Sequence, residues 1–181
     1  MDNVIETMNH KMDKALDALY ENLKTIRTGM ANASLLDHVQ MEYYGSMMPI
    51  NQVASIKIVE GRQLVIKPFD RNTLKDIERA ISTSDVGLVP QNDGEVIRLN
   101  VPALTEERRK EFAKHAAKMG EEAKIAIRNV RREGMDAIKK DKELTEDDKK
   151  EMEKDIQKIT DNFGKKIDQA VSEKEKEILK V

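Results

Sequence analysis

The sequence contains no cysteine and no tryptophan, and aromatic residues make up only 3% of its 181 residues. The lack of cysteine excludes disulfide bonds and thiolate chemistry. The scarcity of aromatic rings excludes a large aromatic core and indicates a soluble chain rich in charged helix. No run of about 18 apolar residues occurs, so no membrane-spanning helix is expected.

The first residues are not expected to form a targeting segment. The first 16 residues carry scattered acids and no apolar core of the kind that a secretory signal needs, and they are too acidic for a typical transit peptide. We therefore expect a cytoplasmic protein. Although 36% of the residues are charged, the net charge is only −2. Any affinity for nucleic acid must therefore come from a local excess of positive charge.

Residue patterns typical of catalysis are not found. The three histidines, His10, His38 and His115, are scattered, and none stands at a metal-ligand spacing from another. No glycine-rich loop precedes a helix as a phosphate-binding loop would. The carboxylates are spread at spacings typical of solvated helix faces. We therefore expect no enzymatic activity, no metal site and no cofactor.

Residues 105–132 predict one long helix with two different faces. Thr105 is the expected N-cap, and acids follow it where the helix dipole favours them. An apolar stripe is formed by Phe112, Ala116, Met119, Ala123, Ala126 and Val130. The opposite face is predicted to carry Lys110, Lys114, Lys118, Lys124, Arg128, Arg131 and Arg132, interrupted by Glu121.

The basic face has two interpretations. Lysines and arginines opposite an apolar stripe usually form a solvated face. However, Arg128, Arg131 and Arg132 share one surface at helical spacing and are poorly offset by acids within a turn. Arginine also holds phosphate through two parallel hydrogen bonds. Because this face has no aromatic platform for bases, we expect recognition of folded RNA through its shape and phosphates.

Two further long helices are predicted. Val4, Met8, Met12, Ala15, Leu19, Leu23 and Ile26 form a heptad-like stripe over residues 2–27, and Gly29 is expected to end that helix. Met152, Ile156, Ile159, Phe163, Ile167 and Val171 form another stripe, preceded by a capping-box pattern at Thr145–Asp148. Three long amphipathic helices with short links predict an antiparallel bundle.

Between the first two helices the periodicity changes to that of strands. Runs near 39–43, 53–59, 62–67 and 95–101 are β-rich, a polar turn is predicted at 91–94, and residues 70–85 contain a helix pattern. The predicted fold is α+β: a long three-helix bundle formed by 1–30 and 104–181, with an inserted β/α/β domain formed by 31–103.

Many short motifs occur in an order that is specific to one family. They are IRTG at 26–29, SLLD at 34–37, EYYG at 42–45, PINQVA at 49–54, FDR at 69–71, IERAI at 77–81, SDVGL at 84–88, LTEERRK at 104–110 and RNVRR at 128–132. Over essentially its full length the chain resembles the bacterial ribosome recycling factor family. It departs from the family pattern at Met30, where a second arginine is common, and at Ala33, where proline is common.

The resemblance implies an L-shaped, monomeric molecule about the size of a tRNA that binds between the ribosomal subunits after termination. Its bundle would lie on large-subunit rRNA, and elongation factor G, using GTP, would drive the subunits apart. By motif match, the residues implied to contact rRNA are Arg109, Arg128, Arg131 and Arg132, with Arg27 as a weaker candidate. Lys124, on the basic face of the same predicted helix, is expected to join them. Because the inserted domain is joined to the bundle by only two chain segments, a hinge is also predicted, which consists of Gly29, Met30, Ala31, Val101, Pro102 and Ala103.

A rival interpretation is a structural helical adaptor that binds partner helices and not RNA. Its basic face would be merely solvated, so its binding would depend little on salt.

Overall fold

The structure, a computed structural model, describes residues 2–180 (Asp2 by its backbone alone). The chain divides into two compact units, Met1–Thr28 with Thr105–Val181, and Gly29–Leu104. The predicted ranges of 1–30 with 104–181, and of 31–103, differ from these by one or two residues at each boundary. Residues 1 and 181 of the predicted bundle lie outside the described residues.

The first unit is a bundle of three helices, α1 (Asp2–Lys24), α4 (Glu106–Lys140) and α5 (Glu146–Leu179). Only residues 141–145 connect α4 to α5, so these two helices run antiparallel. Near the start of α1, Ile5 lies beside Ile159 of α5. Near its end, Leu23 lies beside Ala170. Helix α1 therefore runs parallel to α5 and antiparallel to α4.

The core of the bundle lies on a wider face of α4 than the sequence pattern predicts. The buried residues of that helix are Ala116, Gly120, Ala123, Ile127, Gly134 and Ile138. The predicted stripe residues Met119, Ala126 and Val130 are only partly buried. The predicted stripe is therefore incomplete: Phe112, Met119 and Val130 do pack against the core, but α4 contacts both α1 and α5, and its buried face is wider than one stripe. The helix continues to Lys140, eight residues beyond the two-faced stretch 105–132.

Two glycines allow this close packing. An added Cβ at Gly120 would lie 2.5 Å from Cγ2 of Val171 on α5. An added Cβ at Gly134 would collide with the sulfur of Met8 on α1. Each glycine therefore removes the side chain at the point where a neighbouring helix comes closest.

The helix ends follow local hydrogen bonding. Helix α1 ends at Lys24, earlier than predicted, because Ile26 N–H donates to the Leu23 carbonyl in a tighter turn (3.2 Å). The predicted caps are confirmed: the hydroxyl oxygen of Thr105 accepts from Arg108 N–H at 3.2 Å. At the start of α5, Thr145 and Asp148 form a capping box. The Thr145 hydroxyl and N–H both donate to the Asp148 carboxylate, and these bonds lower its pKa.

The second unit contains a four-stranded antiparallel sheet in the order β3 (Ala54–Val59), β4 (Gln63–Pro68), β6 (Ile97–Asn100) and β5 (Gln91–Asn92). A separate hairpin pairs β1 (Gln40–Tyr43) with β2 (Ser46–Pro49). The short helix α2 (Ile50–Val53) and helix α3 (Leu74–Thr83) complete it. Ile77 and Ile81 of α3 and alternate residues of β4 and β6 form the buried core.

Several short elements were not predicted. The segment Ser46–Pro49 is a strand that is absent from the predicted β-rich runs. The chain reverses just before it, at Tyr44 and Gly45, which both have positive φ (48° and 82°). Residues 91–92 pair with β6 although the sequence indicates only a polar turn. A 3-10 turn, Ala33–Leu36, precedes β1. The α+β class and the three long helices agree with the prediction.

We predict that the bundle folds without the inserted unit. The two ends of that unit are close together: an added Cβ at Gly29 would lie 3.1 Å from the backbone nitrogen of Leu104. A short linker can therefore replace residues 31–103. This variant should keep its helical circular dichroism and melt in one cooperative transition. Loss of helicity or a broad, non-cooperative melt would contradict an independent bundle.

Three helical glycines provide a matched test of the packing. Alanine is favoured over glycine in helices by about 1 kcal/mol, but overpacking costs roughly 1–3 kcal/mol. Gly120→Ala should lower the melting temperature, because the β-branched Val171 cannot easily move away. Gly134→Ala should be closer to neutral, since Met8 is flexible.

The control is Gly164→Ala on α5, where an added Cβ meets nothing within 4 Å. It should raise the melting temperature. Equal effects of all three substitutions in thermal melts would show that helix propensity, and not packing, decides at these positions.

Candidate nucleic-acid interface

Four of the six predicted rRNA-binding residues lie together on α4. Lys124, Arg128, Arg131 and Arg132 fall within nine residues, or about 12 Å of helix. Arg109 lies at the start of the same helix, about 22 Å along the axis from Lys124. Arg27 is exposed in the segment that follows α1. The structure therefore forms one cationic cluster, Lys124 to Arg132, with Arg109 and Arg27 outside it.

The members of the cationic cluster differ in burial. Arg128 and Arg132 are exposed. Arg131 is partly buried, and the side chain of Lys124 is 31% exposed. Both contact residues of α5. The expectation that all of these residues lie opposite the apolar stripe is therefore wrong for Lys124 and Arg131, which lie on the flank of α4 that faces α5.

Two members of the cluster are paired with acids. Nζ of Lys124 lies 2.6 Å from Oδ1 of Asp168 on α5. Nη1 of Arg128 lies 3.4 Å from Oε1 of Glu121, and both side chains are mostly exposed. Exposed ion pairs of this kind contribute little stability. Their main effect here is that each carboxylate offsets part of the charge that the cluster presents to solvent.

Arg131 has a neutral partner instead. Its Nε–H donates to Oε1 of Gln157 on α5 at 2.8 Å. The Gln157 amide nitrogen in turn donates to Oδ1 of Asp161 at 2.9 Å. Arg132 makes no hydrogen bond or ion pair to any part of the chain between residues 2 and 180. Neither of these neighbouring guanidinium groups is therefore paired directly with a carboxylate of the described chain.

The sequence interpretation missed the partners on α5. Gln157 and Asp168 directly follow Ile156 and Ile167, two core residues of that helix. A polar residue next to a buried one lies at the border of the apolar stripe, where it can reach a neighbouring helix. That position was the available signal, but it does not say which residue of α4 would be opposite.

The six predicted hinge residues all belong to the second unit. Ala31 N–H donates to the Gly61 carbonyl and Val101 N–H to the Arg62 carbonyl, both at 2.8 Å. One turn, between β3 and β4, therefore holds both chain segments that lead to the bundle. Gly29 has a φ of 72°. Met30 is exposed (39%).

Other kinds of site are not evident in the described chain. His10, His38 and His115 are exposed and lie in different elements. Between residues 2 and 180, no group of three or more His, Asp or Glu side chains is placed to hold a metal ion. No helix in this range is long and apolar enough to cross a membrane.

Comparison with known proteins gives a consistent result. The family model described as ribosome recycling factor matches residues 19–179. The chain belongs to the ribosome recycling factor family. It is 55% identical to the ribosome-recycling factor of Streptococcus pyogenes serotype M28 and 56% identical to that of Streptococcus uberis, in each case over 98% of both chains. The resemblance that the sequence motifs indicated is confirmed.

Solved structures of the family share the fold. A solution structure of a ribosome recycling factor matches with a TM-score of 0.83 and 37% identity, covering 99% of this chain and 97% of the other. A second match has a TM-score of 0.65 and 45% identity, with 98% of each chain covered. It is the T. thermophilus ribosome recycling factor, from models of that factor and E. coli elongation factor G bound to the E. coli post-termination complex.

Proposed function

We propose that this chain recycles ribosomes. It binds the post-termination ribosome between the subunits and, with elongation factor G hydrolysing GTP, promotes subunit dissociation and the release of mRNA and tRNA. Membership of the family over the whole chain supports this function. The related T. thermophilus factor, described with elongation factor G on a post-termination complex, supports the same partners.

The cationic cluster of α4 is the proposed contact with large-subunit rRNA. Its most available charges are Arg131 and Arg132, because their guanidinium groups have no carboxylate partner within the described chain. Such groups can form charge-assisted hydrogen bonds with phosphate oxygens. Arg109 and Arg27 are proposed as outlying contacts. The lack of a carboxylate partner for Arg131 and Arg132 within the described chain is the observation that supports an rRNA contact at this cluster. It also argues against the adaptor interpretation.

The chain itself is proposed to act by binding, without bond chemistry. In this view the energy for subunit separation comes from GTP hydrolysis by elongation factor G. The recycling factor contributes a surface that holds RNA and a second unit joined to the bundle by two chain segments. Because two separate units with short covalent links commonly reorient, we propose that this second unit moves during recycling.

The proposed pivot involves fewer residues than the six-residue hinge that the sequence predicts. Ala31 and Val101 are tied by backbone hydrogen bonds to the turn at Gly61 and Arg62, so they should move with the second unit. The rotation would then fall at Gly29 and Met30 on one segment and at Pro102 and Ala103 on the other. Gly29, with its left-handed backbone and its close approach to Leu104, is the most constrained of these.

The first test of this function uses Arg131→Ala. A hydrogen bond to a charged group contributes roughly 1.5–3 kcal/mol, so ribosome affinity should fall about ten- to a hundredfold. The slope of log affinity against log salt should decrease by about one unit for each phosphate that the variant no longer binds. Arg131→Lys should recover part of the affinity, since lysine keeps the charge but not the planar fork.

Affinity for vacant ribosomes should be measured across a salt series, together with thermal melts. Lys165→Ala, at an exposed position of α5, is the control for loss of one positive charge. If Arg131→Ala binds like the parent, or loses affinity only because it unfolds, the cationic cluster is not the ribosome-binding surface.

A second test concerns the pivot. Gly29→Ala places a methyl group in a left-handed conformation and 3.1 Å from the Leu104 backbone. It should slow subunit splitting in the presence of elongation factor G and GTP, while ribosome affinity changes much less. The control is Gly45→Ala, which has a similar φ (82°) but open space around the added Cβ. Equal splitting rates for both variants would refute a pivot at Gly29.

A further inference from the structure

The side chain of Gln157 on α5 connects Arg131 of α4 to Asp161. Its carbonyl oxygen accepts from the Arg131 Nε–H at 2.8 Å, and its amide nitrogen donates to the Asp161 carboxylate at 2.9 Å. An ionised carboxylate can only accept, so the NH₂ group of Gln157 has to face Asp161. Its carbonyl oxygen is then left to face Arg131. Asp161 thus sets the orientation of the amide.

This arrangement determines which nitrogens of Arg131 are available. The guanidinium group has five N–H donors in a planar fork. Gln157 uses the one on Nε, and neither terminal nitrogen bonds to any part of the chain between residues 2 and 180. The two terminal nitrogens together can hold two oxygens of one phosphate. Because the hydrogen bond at Nε already restricts the Arg131 side chain, that side chain loses less conformational entropy when it binds a phosphate.

The charge of the residue that holds each cation determines how much positive charge is left for phosphate. Lys124 and Arg128 are paired with the carboxylates of Asp168 and Glu121, which offset their charge. Gln157 is neutral, so it can hold Arg131 in place without offsetting the positive charge. A neutral acceptor therefore provides orientation and keeps the nearest carboxylate, that of Asp161, one amide group farther away, so it reduces the attraction for phosphate less than a direct ion pair would.

We propose that Gln157, oriented by Asp161, is a positioning residue that presents the terminal nitrogens of Arg131 to an RNA phosphate. This inference rests on the function proposed above. Gln157 is exposed and lies on a different helix from the cationic cluster. Gln157 would therefore affect RNA binding only by orienting the side chain of Arg131.

The test uses Gln157→Leu, which removes the acceptor and keeps a residue of similar size and good helix propensity. Its affinity for vacant ribosomes should be three- to tenfold weaker than that of the parent. In an Arg131→Ala background the same substitution should have no further effect. The matched control is Gln169→Leu: Gln169 lies on the same helix and donates to the carboxylate of Glu173 at 3.0 Å, the same four-residue spacing. This control should bind like the parent.

A second measurement does not depend on ribosomes. In NMR spectra of the full chain, the Nε–H of Arg131 should exchange with water more slowly than that of Arg132. Gln157→Leu should remove this difference, and Gln169→Leu should preserve it. Equal exchange rates in the parent would overturn the proposed restraint on Arg131.

The outcomes separate this inference from the proposed function. If Arg131→Ala weakens binding but Gln157→Leu binds like the parent, the positioning role is refuted and the cationic cluster stands. If Gln157→Leu weakens binding equally with and without Arg131, its effect does not pass through that residue and the inference fails. If Arg131→Ala binds like the parent, the proposed rRNA surface itself is wrong.

Discussion

The close packing of α4 against two other helices is the constraint on which the bundle and its surface depend. Gly120 and Gly134 have no side chain at the points where Val171 of α5 and Met8 of α1 come closest. Interiors packed at this density do not tolerate added volume without movement. Because α1 and α5 pack against one side of α4 only, most residues of that helix stay exposed, and the cationic cluster runs from this exposed side to the border with α5.

That geometry also explains why the cluster is not a uniform row of charges. Residues at the border between α4 and α5 meet polar groups of α5, whereas residues farther round the helix meet only solvent or their own helix. Lys124 is at this border and meets a carboxylate, while Arg131 meets an amide. The positive charge that α4 presents to a polyanion therefore depends on which residues of α5 lie opposite it, although α5 does not form the basic face.

In the second unit, a small number of contacts likewise fixes the connecting segments. The turn between β3 and β4 holds both connecting segments through two backbone hydrogen bonds, at Gly61 and Arg62. Glu60 and Gly61 both have positive φ (54° and 70°). These backbone bonds are independent of side-chain identity at residues 31 and 101. They attach Ala31 and Val101, two residues of the predicted hinge, to the second unit.

Much of this architecture could be predicted from the sequence because it depends on local rules. The spacing of apolar residues indicated three long helices, and Thr105 and Thr145 with Asp148 indicated two helix starts, since capping involves residues only three positions apart. The change of period near Leu35 indicated the inserted unit.

Tertiary structure alone decided the centre of the buried face of α4, the role of Gly120 and Gly134, and the pairing of Arg131 with Gln157, 26 residues away. The physical reason is that the spacing of apolar residues identifies the buried face of a single helix considered alone. Which residues meet across that face depends on how many partners the helix has and on their relative register.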